Sequence, residues 1–230
     1  MRRLIAFPVV LLCLLIPMLL ISCNEEENNR DYNEEELFLA AEKLIEDSKA
    51  LNDVFYGKGV LYDNLSVATH GSYKQALIFD LEKYGFYSIE DLKDMTKKVF
   101  TKGYSENIFN TVLEPIKDDE DNIRYFARYI EIGNEDGNGE GIIYVNSTYK
   151  SFFEGTIEYD YSTLRVFEVK GEKIVITLKA TITTEEGKTQ TTDKKITLIE
   201  EEDGWRIDSP SYIVYNEYKD RYEELDKELE

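Results

Sequence analysis

Between Lys173 and Ile182 the chain alternates without a break. Ile174, Ile176, Leu178, Ala180 and Ile182 occupy one set of positions, and Lys173, Val175, Thr177, Lys179 and Thr181 the other. A period of two sends the two sets to opposite faces of a strand, so the run needs a sheet with one face covered. Its neighbours repeat the pattern. Ile157, Tyr159 and Tyr161 alternate with polar residues, Ile196 and Leu198 continue the theme, and Trp205 and Ile207 close it. The joints Gly171-Glu172, Glu186-Gly187 and Asp203-Gly204 have hairpin chemistry. One apolar face on successive hairpins predicts an antiparallel meander covered on one side. Further upstream, Tyr125–Ile132 and Gly141–Val145 read as strands flanking the loop Gly133–Gly141.

The cover is supplied by the N-terminal half. Asn33 can cap a helix to Phe55, with Glu34 to Glu36 in the first turn, where the helix dipole favours acid. Leu37, Ala41, Leu44, Leu51 and Phe55 share one face of it, and Gly57 stops it. Ser88, with Asp91 three residues on, caps a second helix whose stripe is Leu92, Met95, Val99 and Phe100. Gly103 interrupts, and a third helix runs from Tyr104 to Leu113, ending before Pro115. Residues 57–87 carry scattered Tyr, Gly and short apolar pieces with no readable period. Helices first and strands afterwards predict an α+β fold, N-terminal helices packed on one face of a C-terminal antiparallel β-meander. We divide the chain into a leader (1–23), an acidic tether (24–33), one α+β domain (34–215) and an acidic tail read as a frayed helix (216–230).

The leader has a basic start, Met1-Arg2-Arg3, and then an uncharged apolar run from Leu4 to Ile21. Leu20-Ile21-Ser22-Cys23 ends the run against the polar Asn24-Glu25-Glu26. A charged start, an apolar core and a small residue before the cut make a secretory signal. The small Ser22 before Cys23 resembles the lipobox of bacterial lipoproteins. That resemblance implies diacylglycerol on the Cys23 sulfur and cleavage before it. An uncleaved membrane anchor is the other reading, since eighteen apolar residues are just long enough to span. Cys at the apolar-to-polar boundary favours lipidation, and both readings tether the domain outside the cytoplasm. With Cys13 lost and Cys23 acylated, the domain keeps no cysteine, so it must hold together without disulfides and offers no thiol chemistry.

Loss of Arg2 and Arg3 with the leader takes the formal charge from −20 to −22. Nucleic acid is excluded as an expected partner, because binding phosphates needs clustered Lys and Arg. A strongly acidic surface favours encounter with a basic protein or a cation, and it also serves plain solubility.

Chemistry-bearing patterns are sparse. The single histidine, His70, stands between Thr69 and Gly71 without ligands or an acid partner at metal-site spacing, and reads as a loop residue. No zinc-protease, P-loop, dinucleotide or nucleophile-elbow pattern occurs, and no cofactor is called for. The acidic residues are too many and too dispersed to single out a glycosidase pair. Asn134, Asp136 and Asn138 with Gly139 imitate the start of a calcium loop, but its twelfth position is Val145 where a bidentate Glu belongs. No metal site is therefore expected. The exposed acidic loop remains a candidate partner contact through Glu135, Asp136, Asn138 and Glu140. Seventeen tyrosines are present, and Tyr84, Tyr87, Tyr104, Tyr125, Tyr129, Tyr144, Tyr149, Tyr159 and Tyr161 crowd the helix-to-sheet region. Core and rim packing is the plain reading of these, and a sugar- or peptide-binding platform the functional one.

The stretch Tyr87-Ser88-Ile89-Glu90-Asp91-Leu92-Lys93, followed by Val99-Phe100-Thr101 and Tyr104, resembles the helix of IseA-type inhibitors of cell-wall DL-endopeptidases. Gly204-Trp205-Arg206-Ile207-Asp208-Ser209-Pro210-Ser211-Tyr212 resembles the closing strand of their lipoprotein relatives, and is similar to cystatin-like and nuclear-transport-factor-like domains. The likeness spans roughly residues 35–215 and rests on structural motifs; no binding residue is carried over from it. It implies a cystatin-like, non-enzymatic module that docks on a cell-wall hydrolase of the NlpC/p60 type with a basic cleft. The alternative expectation is a lipoprotein that binds a small ligand or carbohydrate between helices and sheet.

Overall fold

A computed structural model describes residues 32–65, 71–117, 123–133, 141–149, 151, 155–184 and 187–211. The sequence places Cys23, His70, the loop residues Glu135, Asp136, Asn138 and Glu140, and the tail 216–230 outside this set.

Asn33 opens α1 (Glu34–Tyr56), its side chain accepting the backbone N–H groups of Glu35 and Glu36. Gly57 closes it, donating back to Asn52 and Asp53. The expected face is buried, Leu37, Ala41 and Phe55 completely. Strand β1 (Tyr73–Gln75) and the short α2 (Ile78–Tyr84) follow, in the region the sequence leaves unread. Next comes α3 (Ile89–Val99), opened by a reciprocal cap: Ser88 Oγ accepts the Asp91 N–H while Asp91 accepts the Ser88 N–H, each at 3.0 Å. Helix α4 (Lys102–Val112) begins at Thr101.

The break between α3 and α4 is not at Gly103, which lies inside the first turn of α4. Phe100 makes the break. It turns extended (φ −108°, ψ 152°), buries its ring completely and bridges Ile207 in parallel, while the Thr101 N–H donates to Ile207 O. A tertiary contact with the last strand, not a helix-breaking residue, sets the boundary.

The second half forms β2 (Ile116–Lys117), β3 (Ile123–Tyr125), β4 (Tyr129–Ile132), β5 (Ile142–Asn146), β6 (Thr156–Lys170), β7 (Lys173–Thr183), β8 (Thr189–Glu201) and β9 (Gly204–Ile207). The meander is present as expected: β6-β7-β8-β9, every pair antiparallel. The Gly171-Glu172 turn has Gly171 at φ 57°. Ile174, Ile176 and Leu178 from β7, Ile196 and Leu198 from β8 and Ile207 from β9 join the core residues of α1, α3 and α4 in one apolar cluster. Burying a branched aliphatic side chain of this kind contributes about 1.5–3 kcal/mol.

Two expectations need correction. Tyr125–Ile132 is not one strand. β3 pairs with β2, and β4 pairs with β5 in a separate sheet ordered β1-β5-β4. The chain leaves the ladder between them because the Arg128 N–H donates to Val112 O at the end of α4, and Ala127 O accepts the Tyr73 hydroxyl. Nor do all strands follow all helices, since β1 sits between α1 and α2 and adds to the edge of β5. The class is nonetheless α+β.

Candidate interaction surface

The conspicuous site grows from residues 57–84. After α1 ends at Gly57, Gly59 takes φ 68°, and its Cα lies so close to Arg128 and Tyr129 that a Cβ there would stand 2.2 Å from Arg128 Nη2. Only glycine fits this turn. The segment is then fixed bond by bond. Arg128 Nη2 donates to Gly57 O at 2.7 Å, the Val60 N–H donates to the Tyr129 hydroxyl at 3.2 Å, and that hydroxyl donates to Val54 O at 2.7 Å. The Leu61 N–H donates to the buried Asp80 Oδ2 at 2.7 Å, and Leu77 N–H to Leu61 O at 2.9 Å. Tyr62 bridges Ala76, and the Asp63 N–H donates to Gln75 O.

Beneath the turn lies a buried polar network. Tyr84 donates to Asp53 Oδ2 at 2.5 Å, and burial followed by that carboxylate pushes the Tyr84 hydroxyl far above its ordinary range. Burial likewise raises the Tyr129 hydroxyl. Arg128 is 3% exposed, and its Nε and Nη1 have no hydrogen-bond partner among the described residues. Its charge rests instead against the Tyr149 ring at 4.7 Å, the Tyr129 ring at 5.5 Å and the carbonyl end of α1.

What this scaffold presents is apolar. Leu61 is 51% exposed, Leu65 96%, Ile78 64% and Phe79 62%. Leu61 and Leu65 stand out from the loop, and Ile78 and Phe79 from the first turn of α2, on a frame tied by these hydrogen bonds. The sequence carried one trace of it. Leu77-Ile78-Phe79 puts three large apolar residues in succession at the start of a seven-residue helix, too many for one buried stripe.

The other sequence candidates fare differently. Tyrosine hydroxyls act mainly as struts. Tyr73 donates to Ala127 O, Tyr159 to Ser211 O and Tyr161 to Glu46, in addition to the Tyr84 and Tyr129 bonds. Tyr73 and Tyr129 line one groove, Tyr84 a second and Tyr161 a third. Among the described residues open grooves include one of about 480 Å³ between α1 and β6, one of about 470 Å³ beside α3 and β4, and one of about 420 Å³ between α1 and α3. Among the described residues no group of His, Cys, Asp and Glu is gathered so as to hold a metal ion, and no helix is long and apolar enough to cross a membrane. Cys23 and the acidic loop residues Glu135, Asp136, Asn138 and Glu140 lie outside the described residues.

The chain matches no protein-family model, no curated protein and no solved structure.

Proposed function

We propose that this chain is a non-enzymatic interaction module, held outside the cell membrane by lipid on Cys23, that binds a protein through the corner formed by Leu61, Leu65, Ile78 and Phe79. The observation that carries the reading is the exposure of these four side chains on a segment pinned by Arg128, Tyr129 and Asp80. Leu61 is drawn beside the start of α2 by the Leu77 N–H to Leu61 O bond, and apolar side chains exposed near one another favour a binding site over chance exposure. The sharp form of the reading is control of peptidoglycan DL-endopeptidases, which the IseA-type resemblance supports. The formal charge, −20 for the full sequence and −22 once Arg2 and Arg3 leave with the leader, suits a hydrolase with a basic cleft.

The test is crosslinking capture from native membranes, followed by hydrolysis assays with each captured NlpC/p60-type enzyme. The unaltered chain is expected to slow peptidoglycan hydrolysis, and Phe79→Ser together with Leu65→Ser to abolish the effect while leaving thermal unfolding unchanged. Failure to bind or slow any such hydrolase removes the sharp form. Capture that survives the double substitution removes the corner. Anchoring is read separately: Cys23→Ser is expected to lose incorporated fatty acid and leave the membrane fraction.

A further inference from the structure

A second groove lies at the other end of α1 and has different chemistry. Its apolar floor is Phe38 and Leu39 from α1 with Tyr161 and Leu164 from β6. Leu39 is 65% exposed, so the floor is open to a partner. The rim is Glu34, Glu35 and Glu42, all exposed, with no Lys or Arg among the lining residues. Glu46 continues the acidic edge one turn further on and accepts the Tyr161 hydroxyl at 2.5 Å.

The wall on the β6 side is built by a departure from regular pairing. Asp160 pairs with Lys179 and Arg165 with Thr177, so the four residues 161–164 stand opposite Leu178 alone. Side chains hold this bulge. Ser162 bonds Asp160 Oδ1 through both its N–H and hydroxyl, and Thr163 Oγ1 donates to Asp160 O while accepting the Lys179 N–H at 2.8 Å. The bulge turns Tyr161 and Leu164 toward α1. Bulges that re-aim side chains at a sheet edge are features of binding surfaces as well as devices against aggregation.

We infer that this groove receives a cationic amphipathic segment of a protein partner. The segment's aliphatic or aromatic side chain lies on Phe38, Leu39 and Leu164, and its Lys or Arg side chains lie against Glu34, Glu35 and Glu42. Charge complementarity selects this occupant. An anionic lipid surface or an acidic peptide would meet three carboxylates, and a purely polar cation would leave the apolar floor uncovered. The groove is about 28 Å along α1 from the apolar corner at 1.5 Å per residue. It deepens the interaction-module reading by naming the chemistry of one partner segment, and it uses residues the corner does not.

The probe is a fluorescently labelled amphipathic helical peptide of Leu and Lys, titrated against the purified chain. A Ser/Lys peptide of equal charge and a Leu/Glu peptide serve as comparisons. The Leu/Lys peptide is expected to bind most tightly. Glu35→Lys with Glu42→Lys should weaken it by about tenfold, and Leu39→Ser by several fold. Glu106→Lys with Glu172→Lys, an equal charge change on exposed positions elsewhere, should change it little. Equal loss from both reversals would show attraction to the net charge alone and overturn the inference. Equal binding of the Ser/Lys peptide would overturn the role of the floor, and equal binding of the Leu/Glu peptide that of the rim. Loss of hydrolase capture in Phe79→Ser, with peptide binding intact, would separate the fate of the corner from that of the groove.

Discussion

The meander and the corner at residues 57–84 are held by opposite strategies. In β7 and β8 the stabilising groups are interchangeable aliphatics on one face, and the backbone ladder needs little from any single side chain. In the corner the backbone has little ladder of its own. It is fixed by individual, non-repeating bonds: from Arg128 and Tyr129, 71 and 69 residues away, from Asp53 in α1, and from Asp80 within the segment itself. The first strategy is written as a period and tolerates approximate volume. The second depends on particular atoms, and it frees large apolar side chains to face outward. The difference teaches where to look for function in a chain with a filled core: at the segment whose order is enforced by other parts of the molecule.

That contrast can be broken or sharpened by substitution. The largest effect is expected in the meander, where Ile176→Ala removes a completely buried side chain and should cost about 2–5 kcal/mol in chemical denaturation. Next comes Gly59→Ala, expected to cost about 2–3 kcal/mol because positive φ is compounded by overlap with Arg128 and Tyr129. Its partner experiment is Gly171→Ala in the β6–β7 turn, where φ is also positive but the space is open; there the cost should be about 1 kcal/mol. Equal costs at the two glycines would show that the corner is no more constrained than an ordinary hairpin. Tyr129→Phe, which orphans both Val54 O and Val60 N–H, should cost about 1–2 kcal/mol and raise amide exchange at Val60 while leaving β7 protected.

The smallest effect concerns pH. Burial alone would raise the Glu46 carboxyl, but hydrogen bonds from Lys49 and Tyr161 outweigh it and hold the group below its ordinary value. A carboxylate lowered on folding contributes stability at pH above its unfolded value of 4.5 and loses it as pH falls through the folded value. Because the pair is largely solvated, Glu46→Gln should cost about a few tenths of a kcal/mol near neutrality. It should cost nothing at pH low enough to protonate the wild-type group, as comparison of acid titrations of stability would show.

Legibility followed the same division. The caps at Asn33 and Ser88-Asp91 and the alternation through β7 and β8 appear where the sequence places them, because caps and periods are local. The corner was unreadable since its order comes from residues about 70 positions away, as with Val60 and Tyr129 or Gly57 and Arg128. The misplaced break at Gly103 and the overlong strand Tyr125–Ile132 have the same origin. Ile207 draws Phe100 out of its helix, and Val112 and Tyr73 draw Ala127 and Arg128 out of the ladder. The two proposed docking surfaces escaped a sequence reading for a related reason: each is assembled from two segments that only the fold brings together, Leu61 with the start of α2, and Phe38 with Leu164.

The contact of Ser211 with α1 has a kinetic meaning. Its hydroxyl donates to Ser48 across 163 residues and accepts from Asn52, while Ile207, four residues earlier, decides where α3 ends. Helix α1 therefore lacks these neighbours until residues 207–211 have been synthesised. Closure of that contact comes late in assembly, and a chain cut short before Ser211 leaves Ser48 and Asn52 without it.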